Sequence, residues 1–468
     1  MPYNNDARAT GGETGKITYT GFVLMYIFSY AGIGVLMPLL SQYLAGIGFD
    51  GSRIGAVTST ARFIAIFSAA FWGRIFTFSH NRYRVIIIIL IACAAFASVL
   101  ITVSDFLFFI ILFALFYFFQ APVCGLSDSL TVEKKLKLGP IRACGSVGYA
   151  VFVFVAGKLA ESVGLGAIFP LYSAVMLIAA AAVCLLWKNE KKRGVSRPAY
   201  DFGRGAGAQN AHNATSESAD HETDNYIGKP ETATSESADH ETGNYAGKPE
   251  TANSKSTDHE TTNPADSPAE VRNFIPFNPW KMLLGNRRYI IFLICAFFTL
   301  VGDAVNGTYF SFLYIEGGGS LTGVGLAFLL MAGCEAPFML LLSKFSGRFR
   351  IEKLMLLAMI VSTARFAWYS TGPSFKMLLA TFFLQGFVNS ILWVEFIKYC
   401  SRLLDVRIAS LGISIYYAVA SNGSSIVSLL VAGFILDGLG ITSVFTFAAL
   451  CNFAGLLLFI IFFIRRRP

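Results

Sequence analysis

The sequence predicts an all-α polytopic membrane protein, with twelve transmembrane helices arranged as two pseudo-symmetric six-helix halves. Three observations lead to this prediction. Hydrophobic residues make up 54% of the 468 residues and charged residues only 14%, whereas a soluble protein usually carries about 25% charged residues. Twelve apolar runs are long enough, at roughly 20 residues, for a helix to cross a bilayer. Related sequence features also recur in the same order six runs apart.

The apolar runs define twelve spans, which are numbered in chain order. Spans 1 to 6 cover about 17–44, 54–77, 85–104, 106–131, 142–161 and 168–187. Spans 7 to 12 cover about 289–315, 322–343, 355–371, 376–398, 408–435 and 442–464. A transmembrane β-barrel would instead need alternating segments of about ten residues. Runs such as 85–91, all Val, Ile or Leu, do not alternate, so helices are favoured.

Basic residues in the short loops predict the orientation, because cytoplasmic loops are enriched in Lys and Arg. One set of loops carries most of them: Arg74, Arg82, Arg84, Lys134, Lys135, Lys137, Lys344, Arg348, Arg350, Lys353, Lys398, Arg402 and Arg407. The opposite set shows little beyond Arg53, Lys158 and Lys376. We therefore expect a multi-pass protein of the cell membrane, with both termini in the cytoplasm.

Residues 188–288 form a linker of a different composition. They contain a 19-residue tandem repeat, 214–232 and 233–251, and the part from 200 to 272 has 14 acidic and 5 basic residues. Each copy offers too few apolar side chains to form a core, so we expect disorder. The repeated histidines are attributed to duplication of the block rather than to a metal site. None of the eight cysteines forms a CxxC pair, so neither zinc binding nor a disulfide framework is expected.

A second, weaker repeat predicts the two halves. Residues 155–169, which join spans 5 and 6, align without a gap with residues 431–445, which join spans 11 and 12. Residues 43–48 likewise resemble 314–319, and the basic loops after spans 2 and 8 correspond. We expect an N-terminal half over 1–187 and a C-terminal half over 289–468. In membrane proteins built from parallel halves, a substrate site lies between the halves near the midplane.

Ionisable residues inside the spans are the first candidates for this site. Arg62, Asp303, Glu335 and Arg365 lie well within spans 2, 7, 8 and 9. Each would cost about 2.5–3.5 kcal/mol at the bilayer centre if it faced lipid, so each should face a wet cavity or an ion partner. The alternative is a structural ion pair between helices. Asn306 lies one turn after Asp303 on the same helix face, and the pair would suit a polyhydroxylated ligand.

Further candidates lie nearer the predicted cytoplasmic ends. Asp128, Arg142 and Glu395 are in spans 4, 5 and 10, and Glu395 could equally extend to the interface. Tyr149 follows Arg142 by about two turns and could stack on a ligand. No histidine lies in a span. Any proton carrier must therefore be a carboxylate or water held by one.

The chain outside the linker resembles the major facilitator superfamily, and within it the lactose permease-like branch of oligosaccharide–proton symporters. The resemblance rests on Gly32-Ile33-Gly34 with Pro38, on Ala121-Pro122 and on the segment 142–149, together with Asp303, Glu335, Arg365 and 396–399. It implies that Arg142 and Glu335 bind substrate hydroxyls, and that Tyr149 replaces a stacking tryptophan. It also implies a conformational gating loop after span 2 with Gly73 and Arg82, where Thr77 replaces the family's aspartate, and a matching loop with Arg348.

Several positions depart from that branch. Its His/Glu pair of span 10, which serves proton coupling, falls at Gln385 and Val388. The lysines that pair with the aspartate of span 7 fall at Phe382 and around Ser421-Asn422. The sugar-binding glutamate of span 4 falls at Cys124 or Gly125, with Asp128 the nearest carboxylate. Arg62 is an addition, which resembles the wider group that includes nucleoside and phenylpropionate symporters.

We therefore expect a secondary active transporter rather than an enzyme. Its expected activity is proton-coupled uptake of a sugar or oligosaccharide by alternating access, with spans 1, 2, 4, 5, 7, 8, 10 and 11 lining the cavity. The expected substrate-binding residues are Arg62, Asp128, Arg142, Tyr149, Asp303, Asn306, Glu335 and Gln385. Proton coupling or ion pairing is expected from Asp303, Glu335, Arg365 and Glu395.

The expected partners are a small-molecule substrate, protons and the lipid bilayer. We expect a monomer that binds no metal and no nucleic acid and needs no cofactor beyond the proton gradient. A nucleoside or an aromatic acid is the alternative substrate. Drug export and a transport-dead sensor are weaker alternatives. A sensor signalling through the linker would lose its function when residues 205–270 are deleted, whereas a transporter would keep near-normal uptake.

Overall fold

The computed structural model describes residues 6–134, 136, 138–192, 279–345 and 350–465. The linker repeats and Arg348 lie outside these residues. Helices account for nearly all of the described chain, and it contains no strand. These helices confirm the all-α fold class predicted from the sequence. The physical reason is that apolar runs in a bilayer can satisfy their backbone groups only within helices or a closed barrel.

The helices of the N-terminal half follow the predicted spans. Spans 1 to 6 are Asp6–Gly46, Gly51–Phe78, Arg82–Leu100, the pair Phe106–Gln120 and Val123–Glu133, Leu138–Val163, and Ile168–Lys192. Span 4 is interrupted at Ala121-Pro122, since proline has no N–H for the helix ladder. Side chains cap several of these helices. The carboxylates of Asp50 and Asp105 accept hydrogen bonds from the N–H groups of Arg53 and Phe108, at the start of spans 2 and 4.

The C-terminal half begins after a short helix, Pro279–Gly285. Spans 7 to 9 are Arg287–Glu316, Leu321–Phe345 and Ile351–Tyr369, span 10 is Phe375–Thr381 with Phe383–Leu403, span 11 is Val406–Ile415 with Ser424–Leu439, and span 12 is Ile441–Phe459. In span 11 the two helices are joined by a wider π-helical segment, Tyr416–Gly423. A second π-helical segment, Ile460–Arg465, extends span 12.

Eleven of the described helical segments are long and apolar enough to cross a membrane. The exception among the twelve predicted spans is span 9. Its 19 residues include Glu352, Lys353 and Arg365, which are three charges in one short helix.

Both halves contribute to one compact unit, which comprises residues 1–195 and 278–468. Within the N-terminal half, span 1 packs on spans 5 and 6. Within the C-terminal half, span 7 packs on span 12 and on span 11. The halves meet chiefly where span 5 packs on span 8 and span 11 packs on span 2.

The loops after spans 5 and 11 each contain a glycine with a positive φ angle. Gly164 and Gly440, which occupy equivalent positions in the aligned segments 155–169 and 431–445, have φ angles of 117° and 79°. Glycine adopts such positive φ values readily because it has no Cβ. The two aligned segments therefore agree in the conformation of this glycine as well as in sequence.

Candidate functional site

A central cavity of about 360 Å³ lies between the halves. Its walls come from spans 1, 2, 4, 5, 7, 8, 10 and 11, the eight spans predicted to line it. The polar side chains that line it include Ser41, Thr58, Arg62, Asp303, Asn306, Thr308, Gln385, Asn389, Ser421 and Ser425, and the aromatic ones are Phe113, Tyr117, Tyr149, Phe328 and Trp393. The volume lies within the range of about 300–1,000 Å³ that is common for small-molecule sites.

Gln385 connects a carboxylate to a buried cation beside this cavity. Its Nε2 donates hydrogen bonds to Asp303 Oδ1 and to Asn389 Oδ1, both at 2.8 Å. Its Oε1 accepts a hydrogen bond from Arg365 Nη2. The amide therefore joins spans 7, 9 and 10, and it separates Asp303 from Arg365 while keeping both in one polar network.

Arg365 does not line the cavity. Its side chain is buried and packs over the rings of Phe366 and Tyr369, with centroids 4.6 and 5.2 Å from its Cζ. Such cation–π contacts stabilise a guanidinium that has lost water. Its Nε and Nη1 have no hydrogen-bond partner within the part of the chain that the structure describes. Much of the electrostatic compensation must therefore come from nearby groups, among them Asp303.

Arg62 lines the cavity from span 2, in the N-terminal half. It interacts electrostatically with Asp303 in the C-terminal half, as Arg365 does. Asp303 is thus the carboxylate at which two cations act, one from each half. Sequence reasoning named all three residues but could not show that they act on one another.

Asn306 also lines the cavity, as its one-turn spacing from Asp303 predicts. Its side chain is 1% exposed, and its Oδ1 accepts no hydrogen bond from any described residue. A buried acceptor left unpaired costs about 1–3 kcal/mol. A ligand hydroxyl that donated to this oxygen would remove that cost.

Asp128 and Arg142 form a separate polar cluster and are not among the residues that line the cavity. Arg142 Nη2 lies 3.3 Å from Asp128 Oδ2, and Arg142 Nε donates to the Tyr30 hydroxyl at 3.4 Å. The Tyr26 hydroxyl donates to Asp128 Oδ1 at 2.7 Å. Seven residues of helix, about 10 Å, separate Arg142 from Tyr149, which does line the cavity. The two tyrosines of span 1 were not identified from the sequence.

Glu335 lies one turn beyond Met331, a residue of the cavity wall, but is not itself part of that wall. Its carboxylate has no hydrogen-bond or ion-pair partner among the described side chains, and it interacts electrostatically with Asp303, a like charge. Span 8 is held against span 10 at this level. Ser390 Oγ donates to the Glu335 carbonyl oxygen at 3.0 Å, and a Cβ on Gly386 would lie 2.5 Å from the Met331 carbonyl oxygen.

Glu395 lies inside the protein, so the alternative that it extends to the interface is wrong. Its side chain is 1% exposed and pairs with Lys398 Nζ at 2.9 Å, while the lysine side chain is 44% exposed. The long lysine side chain reaches water, whereas the Glu395 carboxylate lies on the buried face of span 10. Neither residue lines the central cavity.

Arg82, which the resemblance assigns to a gating loop after span 2, contacts spans 2 and 4. Arg82 Nη1 lies 2.5 Å from Glu133 Oε2, and its guanidinium packs over the ring of Phe76. It therefore joins the start of span 3 to the ends of spans 4 and 2. A Cβ on Gly73 would meet no atom of the described residues within 4 Å, so none of them requires glycine there.

Two acidic residues join the halves at the other end of the molecule, and sequence reasoning did not single them out. Asp437, at the end of span 11, accepts hydrogen bonds from the N–H groups of Gly51 and Ser52 at 2.5 and 2.8 Å. Glu161, at the end of span 5, accepts one from the N–H of Thr322 at 2.8 Å. Each carboxylate thus caps the first turn of a helix in the opposite half. We call the two contacts the carboxylate latches.

The carboxylate latches lie beside very close backbone contacts. A Cβ on Gly433 would lie 2.3 Å from the Gly51 carbonyl oxygen, and one on Gly157 would lie 2.6 Å from the Leu321 carbonyl oxygen. Both the glycine pair and the acidic pair occupy equivalent positions in the segments 155–169 and 431–445. The alignment of these segments was the signal that could have identified the latches. The N–H of Arg53 lowers the pKa of Asp50, which caps its own helix beside Gly51.

Two halves that meet through equivalent contacts around a polar central cavity define a membrane transporter of the major facilitator type. A model of the MFS_1 like family matches residues 19–447. The chain belongs to this family of the major facilitator superfamily, and it is a transporter of small molecules rather than an enzyme.

Its relatives agree with this class. The chain is 26% identical to a maltose permease of Geobacillus stearothermophilus over 454 residues, which cover 96% of this chain and 95% of the permease. It is 22% identical to the uncharacterized transporter YwbF of Bacillus subtilis (strain 168), with coverage of 93% and 91%. The fold resembles crystal structures of the nucleoside transporter NupG. The structure of a point mutant of NupG gives a TM-score of 0.68 at 13% identity, over 95% of this chain and all of that one.

Proposed function

We propose that the protein takes up a sugar or oligosaccharide together with protons by alternating access. The observation that carries the proposal is the polar wall of the central cavity, where Asp303, Asn306, Gln385 and Asn389 stand together. Sugar hydroxyls require both acceptors and donors of hydrogen bonds. Carboxylates accept them, and side-chain amides both accept and donate them. The similarity to a maltose permease over nearly the whole chain supports an oligosaccharide substrate.

Aromatic residues complete the proposed recognition. Tyr149 of span 5 and Trp393 of span 10 line the cavity from opposite halves. An aromatic ring offers an apolar face with a polar edge, which fits the C–H face of a pyranose. The substrate would therefore contact both halves, as a ligand that is exposed alternately to the two sides must.

Asp303 is the proposed site at which proton binding and substrate binding are coupled. When Asp303 is ionised, its charge attracts Arg62 of the N-terminal half and Arg365 of the C-terminal half. Protonation removes that attraction, and it frees Arg62 to interact with substrate. Glu335, which lies near Asp303 as a like charge, is the second proposed carrier. The driving force is the proton gradient, and no cofactor is required.

A nucleoside is the second candidate substrate. It is favoured by the five aromatic side chains of the cavity wall, Phe113, Tyr117, Tyr149, Phe328 and Trp393, because a flat base can stack between rings. A nucleoside offers fewer hydroxyls than an oligosaccharide. Competition between the two classes of compound therefore distinguishes the candidates.

We propose that the transporter works as a monomer in the cell membrane. The basic loops predict that both termini face the cytoplasm. The end of the molecule that carries the carboxylate latches would then face outward. The structure would thus correspond to a state that is closed toward the outside.

The test is uptake into membrane vesicles of radiolabelled maltose, other oligosaccharides and nucleosides, with and without a protonophore. We expect accumulation of an oligosaccharide that the protonophore abolishes. Asp303→Asn and Glu335→Gln should lose accumulation while downhill exchange continues. Glu316→Gln is the matched control, because Glu316 is exposed at the end of span 7, the helix that carries Asp303. Full accumulation by both the Asp303 and the Glu335 variant would overturn the coupling.

A further inference from the structure

A second cavity lies at the surface of the C-terminal half and shares no lining residue with the central cavity. It has a volume of about 410 Å³ and is formed by the first turns of span 9 and the last turn of the segment that extends span 12. The two spans are joined further along, where Ser362 Oγ donates to Asn452 Oδ1 at 3.0 Å. The groove is therefore the space that remains where their ends separate. We call it the span 9/12 groove.

One end of the span 9/12 groove is cationic. Arg350 and Lys353 both line it, and both are exposed. Glu352 also lines it and lies 3.9 Å from Arg350 Nε, a distance at which an exposed ion pair contributes little. Lys353 has no ion-pair partner within the described chain. The cations are therefore available to a ligand that can displace or outweigh one carboxylate.

The helix terminus adds to this positive end. Span 9 begins at Ile351, and its N-cap residue, Arg350, makes no side-chain capping hydrogen bond. The first N–H groups of a helix point outward and carry the positive end of the helix dipole. Two cationic side chains and a helix start that the Arg350 side chain does not cap thus lie at one end of a cavity, which is the chemistry that a phosphate group recognises.

The rest of the span 9/12 groove is apolar and open. Leu357 and Ile360 line it and are 46% and 45% exposed, and Phe463 forms the facing wall. Lys353 and Ile360 are seven residues apart on one helix, so the apolar wall extends about 10 Å from the cationic end. Exposed apolar side chains on a membrane-spanning helix face lipid. A free phosphate ion could use only the cationic end, whereas a phospholipid could use the whole groove.

We infer that the span 9/12 groove binds one anionic phospholipid, with its phosphate at Arg350 and Lys353 and one acyl chain along Leu357, Ile360 and Phe463. Basic pockets between transmembrane helices are suited to anionic headgroups, because each Lys or Arg near such a surface contributes about 1 kcal/mol. A zwitterionic lipid offers the same acyl chain without net charge and should bind less well. The inference does not depend on the identity of the transported substrate.

The test uses the purified full-length chain in a nonionic detergent and a phosphatidylglycerol that carries a fluorescent acyl chain. Fluorescence anisotropy reports binding, and unlabelled phosphatidylglycerol, phosphatidylcholine and inorganic phosphate compete. We expect phosphatidylglycerol to compete well and the other two poorly. Arg350→Gln and Lys353→Gln should each weaken binding roughly fivefold, and both together about 30-fold.

Two further variants test the direction of the charge effect and provide a control. Glu352→Gln removes the only carboxylate that the described residues contribute to the groove, so binding should become tighter. Lys376 is an exposed cation at the start of span 10 and lies outside the groove. Lys376→Gln should therefore leave affinity unchanged. Equal competition by phosphatidylcholine, competition by inorganic phosphate at the same concentration, or an equal loss in the Lys376 variant would each overturn the inference. All four positions are at least partly exposed, so the variants should fold.

Discussion

Removing the Asp437 carboxylate should open the end of the transporter at which the carboxylate latches lie. The residue makes two hydrogen bonds across the halves, to the N–H groups of Gly51 and Ser52. A shielded charge-assisted bond contributes about 1.5–3 kcal/mol, but Asp437 is exposed and water screens it. We therefore expect Asp437→Ala to cost the closed state about 1–2 kcal/mol, which is a factor of about 5–30.

The assay is the distance between spin labels at Arg53→Cys and Gly438→Cys, in a background without the eight native cysteines. Both positions are exposed, and a Cβ at Gly438 meets no atom within 4 Å. If the open state has about 1% occupancy in the parent, it should rise to roughly 5–23% in Asp437→Ala. Glu161→Ala should act in the same direction at the other latch, more weakly because it breaks one bond instead of two.

Asp50→Asn is the matched control. Asp50 belongs to the same helix start, but its side chain accepts from Arg53 N–H in its own helix and not from span 11. An asparagine keeps that cap, so the distances should not change. An unchanged distribution in Asp437→Ala, or the same shift in Asp50→Asn, would refute the role of the latch.

Three further predictions follow from other contacts. Gly433→Ala should prevent full closure of the same end and reduce uptake at least tenfold, because its Cβ would lie 2.3 Å from a carbonyl oxygen, whereas Gly438→Ala should transport normally. Gln385→Leu should lower kcat/KM for uptake at least tenfold with unchanged protein in the membrane, since it removes the amide that joins a carboxylate to a buried arginine. A double-mutant cycle of Arg142→Gln and Asp128→Asn, measured by thermal unfolding, should give a coupling free energy of about 0.5–1 kcal/mol. The value is small because the arginine side chain is 53% exposed. Additive effects of the two substitutions would contradict the ion pair.

The sequence was sufficient for the fold because hydropathy and loop charge determine how a chain inserts in a membrane. Apolar runs predicted the spans, and the repeat of residues 155–169 in 431–445 predicted that two similar halves would meet. Span 9 departs from the other spans, since its 19 residues include three charged ones. Its Arg365 is nevertheless buried, because Gln385 and two aromatic rings accommodate it.

The site was predicted less completely. The cost of charge in lipid pointed correctly to Arg62 and Asp303 as residues of a cavity wall, but it could not rank them against Asp128 and Arg142, which pair with each other outside that wall. Pairing depends on which faces of distant helices meet. Asn389 and Trp393 were missed because an uncharged polar residue and an aromatic residue are common in spans, and neither stands out without its neighbours.

The π-helical segment Tyr416–Gly423 divides span 11 into two α-helices that need not move as one rigid body. It lies between Ser424–Leu439, whose far end carries Asp437, and Val406–Ile415 at the other end of the span. Its wider turns interrupt the regular α-helical hydrogen-bond register, and Ser421 within it faces the cavity. On one side of this segment Ser424–Leu439 packs on span 2, and on the other Val406–Ile415 packs on span 10. Displacements measured at the two ends of span 11 need not scale with each other.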